Sequence, residues 1–343
     1  MEGEPTQLSA VNEWNTYFAK YGRSAFMSFR IISTGSYVPP RVVTNDELAT
    51  FLDTSDQWIT ERTGVRERRV CVTETASTLA IEAGRRALEA GNTHPEDLDM
   101  IIVATISGEH ISPGVACMVQ AALGATCPAM DVSAACSGFV FMLDTAAGFF
   151  ARGRVKKVLV IGSEQMSRIV DWKDRNTAVI FGDGAGACLL EAEDNYLASK
   201  LYSRGGADVI KIPTSIGISP FFEGEQERPL IHMKGQETFR FAVSAMATDI
   251  QEVLETAGIE QSEVAYVIPH QANVRIIDAA KKRLHIPPER FATNMARYGN
   301  TSAASIPIVL DELNRAGKFT RGDIVVMSAF GGGLSSGACV LRW

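Results

Sequence analysis

Two patterns of apolar residues alternate along this chain. One is the short continuous run, closed by glycine or a small polar residue. The other is a longer segment in which apolar positions recur every third or fourth residue. Continuous runs lie over residues 29–39, 98–105, 155–163, 264–270 and 323–329, with a shorter one ending near Val132. Runs of this kind, rich in Val and Ile, predict strands buried on both faces. Two glycine-rich turns, at 182–190 and 331–341, run straight into further strands, and 291–295 is also predicted as a strand. Helical spacing is found over 75–90, 113–123, 139–150, 238–257, 274–284 and 302–316. A helix over 53–64 ends at Gly64, and a shorter one opens at Asn45 with acidic residues in its first turn.

Strands that alternate with helices imply an α/β protein with helices packed on its sheets. The order of elements also repeats. Gly186-Ala-Cys-Leu-Leu190 closes the first set and Gly337-Ala-Cys-Val-Leu341 the second, which predicts an internal duplication. The expected division is a half over 28–196 that carries a candidate cysteine and a half over 197–343 that carries a histidine and an asparagine. Residues 196–236, broken by Pro213, Pro220 and Pro229, read as an irregular insert, and 1–27 as a detachable N-terminal extension.

Composition narrows the function. The chain has 343 residues, 46% hydrophobic and 21% charged, with a formal net charge of −7. This is an ordinary globular balance, and it argues against nucleic acid as a partner. The six cysteines are scattered without CxxC or zinc spacing, so neither a metal site nor a disulfide framework is expected. No run is long enough to span a bilayer and no signal pattern opens the sequence, so a cytoplasmic protein is expected.

Cys136 falls between a strand and a helix, among the small residues Ala134, Ala135, Ser137 and Gly138. The free N–H groups at a helix start are expected to stabilise a thiolate there, lowering its pKa and making it a nucleophile. His270 ends a strand in Pro269-His-Gln-Ala-Asn273, and Asn300 sits in a turn before a small-residue helix. A neutral imidazole and a carboxamide can both donate to one carbonyl oxygen, which suits an enolate formed by decarboxylation of a malonyl thioester. Taken singly, each has a blander explanation: an inert core thiol, a hydrogen-bonded histidine, a helix-capping asparagine. Gly331 to Gly333 alone would be a tight turn.

Five segments together resemble the β-ketoacyl-acyl-carrier-protein synthase III family of the thiolase-like fold. They are Asp131-Val-Ser-Ala-Ala-Cys-Ser-Gly138, Phe181-Gly-Asp-Gly-Ala-Gly186, His270-Gln-Ala-Asn273, Gly299-Asn-Thr-Ser-Ala-Ala304 and Phe330-Gly-Gly-Gly333. The resemblance runs from about residue 29 to Trp343, and the Cys-His-Asn set separates it from thiolases and from Cys-His-His elongating synthases. It implies duplicated βαβαβ halves in a five-layer αβαβα sandwich, a homodimer, and an acyltransferase that needs no cofactor beyond its coenzyme A thioester substrate. The implied reaction is a ping-pong condensation that starts fatty-acid synthesis. Cys136 takes the acyl group from acyl-CoA, and His270 and Asn300 hold the carbonyl of malonyl-acyl carrier protein during decarboxylation. The N–H groups of Cys136 and Gly332 form the oxyanion hole. The resemblance further assigns Thr54, Trp58, Arg62, Arg175 and Asn273 to coenzyme A, and Arg240, Arg275, Lys282 and Arg283 to carrier-protein docking. Ile111 or Ser112 stands where acetyl-CoA users often carry a bulky Phe, which implies a larger acyl pocket. Glu109 and His110 are read as surface loop.

Three other readings stay open on the sequence. One is a relative that condenses a longer or branched acyl-CoA in a secondary-metabolite or shunt pathway. Another is a non-catalytic acyl-binding subunit, against which the intact Cys, His and Asn argue. The third is a papain-like hydrolase, which the duplicated α/β pattern disfavours.

Overall fold

The computed structural model describes residues 28–214, 220–221, 224 and 227–343; the expected extension over 1–27 lies outside the described residues. The first part of the chain forms β1 (Phe29–Tyr37), β2 (Val42–Thr44), α1 (Asn45–Ala49), α2 (Asp56–Thr63), β3 (Glu67–Arg69) and α3 (Ala76–Ala90). There follow β4 (Met100–Ala104), α4 (Val115–Leu123), β5 (Ala129–Val132), α5 (Gly138–Ala151), β6 (Lys157–Glu164), α6 (Arg175–Ala178) and β7 (Gly184–Ala192). The remainder forms β8 (Tyr196–Ser203), β9 (Ile210–Lys211), β10 (His232–Met233), α7 (Gly235–Ala257), β11 (Val264–Pro269), α8 (Val274–Lys281) and α9 (Met295–Tyr298). Last come α10 (Ser305–Arg315), β12 (Ile324–Gly331) and β13 (Ser335–Arg342).

One mixed sheet has the order β1-β7-β6-β4-β5 and a second has the order β11-β12-β13-β8. Their apolar strands feed two cores at once, because successive side chains leave a strand on opposite faces. In β4, Met100, Ile102 and Ala104 join the central core, while Ile101 and Val103 join the core beneath α3 and α4. In β12, Val325, Met327 and Ala329 face the central core, while Ile324, Val326 and Phe330 face the core beneath α7 and α8. The central core is filled by α5 (Phe139, Leu143, Phe150) and α10 (Ile306, Val309, Leu310). The layers are therefore α3/α4, sheet, α5/α10, sheet, α7/α8: an αβαβα sandwich of the thiolase-like type. The two repeated glycine segments have equivalent places, with Cys188 of β7 and Cys339 of β13 both in the central core.

Three expected elements differ. Residues 196–203 are the edge strand of the second sheet, paired antiparallel with β13, rather than part of an irregular insert. Pairing along β13 holds that strand although it leans toward solvent over its last residues. The predicted strand at 291–295 reduces to one bridge between Phe291 and Val267, and Met295 already begins α9. Helix α10 starts at Ser305, after a 3-10 turn over Ser302–Ala304, and carries Pro307 in its first turn, where the missing N–H donor costs no intrahelical bond.

Close approach of α10 to β7 requires glycine. A Cβ added at Gly186 would lie 2.6 Å from the carbonyl carbon of Pro307 and 2.7 Å from Ile308 N. Gly186→Ala should therefore lower folding stability by about 1–3 kcal/mol through overpacking, measured by denaturant unfolding; an unchanged midpoint would show that the helix can retreat at no cost.

Candidate active site

Cys136 lies in a 3-10 turn over Ala135–Ser137, between β5 and the start of α5. Ala135 is held at φ 48°, a left-handed conformation that costs a residue with a Cβ about 1–2 kcal/mol. The Ser137 hydroxyl ties this turn down, donating to Ala134 O at 2.7 Å and lying 2.6 Å from Ser335 Oγ beyond the glycine turn. Gly331, at the end of β12, packs on the same turn; a Cβ there would come within 2.7 Å of Cys136 N. The expected depression of the thiol pKa is corrected here. Burial pushes the Cys136 thiol up to about 12, with the Ser302 hydroxyl bond pulling down and the Glu164 charge pushing further up. Desolvation is the largest of these effects and favours the protonated sulfur.

His270 follows the last residue of β11, its N–H donating to Ser328 O at 2.7 Å. The ring is buried, meets Phe330 edge-on at 5.3 Å between centroids, and places Nδ1 2.7 Å from Ser305 Oγ. The Gln271 N–H approaches the same oxygen at 3.5 Å. In the tautomer where the Ser305 hydroxyl donates to Nδ1, the ring proton stands on Nε2. Burial lowers the imidazole to about 3, so the ring is neutral at ordinary pH. Asn300 is fixed by its own turn: Oδ1 accepts the Ser302 N–H at 2.8 Å, and the backbone pairs with Ile180 and Gly182. With Oδ1 occupied, Nδ2 remains as the donor. Cys136, His270 and Asn300 all line one cavity of about 1700 Å³, together with Gly331 and Gly332.

The cavity also takes in Arg62, Asn273, Arg240, Arg275 and Ile111. Trp58, Arg175 and Thr54 are outside the lining, but Trp58 packs on the lining residue Arg62: the guanidinium carbon of Arg62 is 4.6 Å and that of Arg175 5.3 Å from its ring centre. Arg175 also donates to Asp53 O at 2.8 Å, one residue before Thr54, whose hydroxyl is buried without a partner. Asn273 caps α8 by accepting the Arg275 N–H and donates to Arg62 O, each at 2.9 Å. Arg240 and Arg275 are exposed at the cavity mouth, whereas Lys282 and Arg283 lie past the other end of α8 and do not line it. Ile111 lines the cavity but is 81% exposed, and Ser112 lies outside the lining.

Two side chains gain roles the sequence did not suggest. Glu109, read as surface loop, caps α3, accepting the Ser77 N–H at 3.0 Å and the Ser77 hydroxyl at 2.5 Å. This anchors the loop that carries Ile111. Glu164 ends β6 fully buried, accepting the Ser302 hydroxyl at 2.9 Å on Oε1, and the Ile106 N–H at 3.1 Å and the Ser107 hydroxyl on Oε2. Burial raises its carboxyl to about 7. The available signal was an acid closing a strand whose centre is the apolar run Val158–Ile161. Among the described residues, no group of three or more His, Cys, Asp or Glu could hold a metal ion, and no helix is long and apolar enough to cross a membrane.

Known proteins match this chain along most of its length. The family model "3-Oxoacyl-[acyl-carrier-protein (ACP)] synthase III" matches residues 130–205, and its C-terminal counterpart matches 254–343. The Clostridium acetobutylicum protein named beta-ketoacyl-[acyl-carrier-protein] synthase III is 44% identical over 92% of this chain and 99% of its own. The Aquifex aeolicus protein of the same name is 47% identical over 92% of this chain and 100% of its own. The crystal structure of the Aquifex aeolicus 3-oxoacyl-[acyl-carrier-protein] synthase III superposes with a TM-score of 0.85, covering 92% of this chain and 100% of that one.

The burial of His270 sets a pH dependence. The unfolded chain takes up the imidazole proton near 6.5 and the folded chain only near 3. This group's share of stability is therefore complete above pH 6.5 and is lost as pH falls toward 3. In protein labelled with 15N-histidine, the His270 ring should keep the two distinct shifts of a neutral imidazole from about pH 8 down to about pH 5. A protonation step within that interval would contradict the burial argument.

Proposed function

Since the chain belongs to the β-ketoacyl-acyl-carrier-protein synthase III family, we propose that its cavity joins an acyl-CoA primer to malonyl-acyl carrier protein by decarboxylative Claisen condensation, giving a 3-oxoacyl-acyl carrier protein. The chain is an acyltransferase of the kind that starts fatty-acid synthesis. The observation that carries the site assignment is that the His270 ring and the Asn300 carboxamide, whose Oδ1 is already spent on Ser302 N–H, stand on the wall of the cavity that holds Cys136.

Cys136 sulfur attacks the acyl-CoA thioester, the carbon–sulfur bond to CoA breaks, and the acyl group stays on the enzyme. Malonyl-acyl carrier protein then enters, and its thioester carbonyl accepts from His270 and Asn300. Loss of carbon dioxide leaves charge on that oxygen, where donors already fixed by Ser305 and Ser302 need no reorganisation. The new carbon nucleophile attacks the acyl-Cys136 carbonyl, whose oxygen meets the N–H groups of Cys136 and Gly332. Glycine at 331 and 332 lets the backbone come this close.

Coenzyme A enters over the rim. Its adenine stacks on Trp58, with Arg175 moving off the indole to close on the other face, while Thr54 and Arg62 flank it. Asn273 keeps one N–H for the pantetheine arm after capping α8. Arg240 and Arg275 at the mouth meet the acidic carrier protein, with Lys282 and Arg283 at the periphery of that contact. Ile111 and Ser112 border the acyl pocket. The halves over 28–196 and 197–343 act as one body with a shared site, after an N-terminal extension over 1–27. The enzyme works in the cytoplasm without a cofactor, and without nucleic acid as a partner. It works as a homodimer: β5 is a sheet edge with Met130 and Val132 half-buried, and a second copy would cover it.

Intact mass after incubation with acyl-CoAs of increasing chain length tests this reading. The wild type should gain one acyl group, and the mass should report the preferred length. Cys136→Ala should gain none. His270→Ala and Asn300→Ala should still acylate but lose malonyl decarboxylation by about 10²–10³-fold. An acyl group on Cys136→Ala would move the nucleophile elsewhere.

A further inference from the structure

Asn300 is held by more than its own turn. Its carboxamide Oδ1 accepts from Ser302 N–H, but its backbone is pinned to a segment of the other half. Asn300 N–H donates to Ile180 O at 2.9 Å, and Gly182 N–H donates to Asn300 O at 3.0 Å. The aim of Nδ2 is therefore only as firm as residues 179–182.

Beneath that segment lies Arg68, in the middle of β3 and wholly buried. Its guanidinium spreads over three acceptors. Nη1 donates to Val43 O at 3.2 Å, and Nη2 donates to Asn45 Oδ1 and to Val179 O, each at 2.8 Å. The stem of the side chain fills the space under the pairing itself: a Cβ added at Gly182 would lie 3.0 Å from Arg68 Cβ, and one at Gly299 3.5 Å from it. The backbone around Arg68 is tied to both sides of that pairing. Arg66 N–H donates to Ala296 O of α9 at 3.0 Å, and Asp183 N–H donates to Arg69 O at 2.8 Å. Asn45 extends the network to α2, the helix of Trp58 and Arg62, by donating to Asp56 Oδ1 and to Val65 O, each at 2.8 Å.

This cation is kept at a cost. Among the described residues no carboxylate bonds the guanidinium, and its buried Nε finds no acceptor. Burial lowers its pKa to about 10, against a smaller opposing pull from Glu67. An apolar side chain of like volume would fill the same space without burying a charge. It could not bond Val43 O, Asn45 Oδ1 and Val179 O at once, which the fixed fork of a guanidinium does.

We infer that Arg68 is a positioning residue for Asn300: by holding Val179 O it fixes the segment on which Asn300 is paired, and with it the direction of the Nδ2 donor. Arg68 does not line the cavity, so it acts through Asn300 alone. The turn of Cys136 is held separately, by the Ser137 hydroxyl on Ala134 O and Ser335 Oγ and by the close packing of Gly331. Loss of Arg68 should therefore separate the two half-reactions, sparing acylation and slowing decarboxylation.

The inference rests on Asn300 holding the malonyl carbonyl, so Asn300→Ala is measured beside the Arg68 variants. Two rates are read on each full-length protein. One is acylation of Cys136 by intact mass, with whichever acyl-CoA the wild type accepts. The other is carbon dioxide release from malonyl-acyl carrier protein given to the acylated enzyme. Arg68→Met keeps the bulk and removes the donors. It should acylate within about 2-fold of wild type and release carbon dioxide about 10–10²-fold more slowly, the scale on which a misaligned group costs rate. Arg68→Lys keeps a charged donor without the fork; it should fall between the two, and it carries the test if Arg68→Met does not fold. Hydrogen exchange of the peptide over 295–304 should quicken about 10-fold in the Arg68 variants, while that over 133–142 should not change. Equal slowing of both rates would reduce Arg68 to a structural residue, and wild-type carbon dioxide release in the Arg68 variants would overturn its positioning role. If Asn300→Ala itself released carbon dioxide at the wild-type rate, the donor assignment would fall and this inference with it.

Discussion

The active cavity depends on a reciprocal close contact between the two halves. At the end of β6, a Cβ on Gly162 would lie 2.4 Å from Ala303 O, in the turn that follows Asn300. At the end of β12, a Cβ on Gly331 would lie 2.7 Å from Cys136 N, in the turn that follows β5. Each half thus takes the helix-leading turn of the other against a bare stretch of its own strand. Gly186 repeats the device against Pro307 of α10, and Gly337 lies 3.4 Å from Val140 of α5 by the same measure. With α5 and α10 pressed between the sheets, the turns before them have little freedom, and the side chains on those turns inherit that rigidity. Cys136 comes from one turn, Asn300 and Ser302 from the other. The duplication therefore supplies more than a core: it brings chemically different turns to face one another.

Burial then sets the charge state of Cys136, His270 and Glu164. The thiol keeps its proton, the imidazole stays neutral and the Glu164 carboxyl titrates near neutrality, all from desolvation first. A neutral His270 suits a donor better than a charged one would. It can hold a developing enolate oxygen without handing over its proton, and it leaves no buried cation to be solvated between turnovers. The hydroxyls of Ser302 and Ser305 meet the polar groups of this environment without adding charge: Ser305 bonds the imidazole Nδ1, and Ser302 joins the Asn300 turn to the carboxyl.

The layers of this fold were legible because each strand is apolar on both faces and each helix on one, so period and length separate them. The cysteine and histidine were legible for a different reason: each stands where a strand gives way to a turn, whereas Asn300 stands in the turn between α9 and α10. What escaped was set by pairing and environment rather than by local pattern. Residues 196–203 form a strand because β13 offers a free edge, which their own half-exposed sequence does not announce. Residues 291–295 look like a strand but find only the single bridge to Val267. The helix-end argument for a lowered Cys136 pKa was sound as a local statement, but it omitted the cost of removing water, which is invisible in a sequence. Glu109 and Glu164 are acids whose partners come from distant segments, 32 and 138 residues away for Ser77 and Ser302.

A protonated resting thiol bears on selectivity. A free thiolate in a cavity open to solvent would react with any electrophile or oxidant small enough to enter. Burial removes that reactivity between turnovers, since a thiol raised to about 12 has almost no thiolate at neutral pH. It also raises the barrier to the intended reaction. Generating the sulfur anion away from an acyl carbon is costly, because desolvation penalises its charged form. The same desolvation that quiets the nucleophile thereby couples its activation to the arrival of the correct thioester.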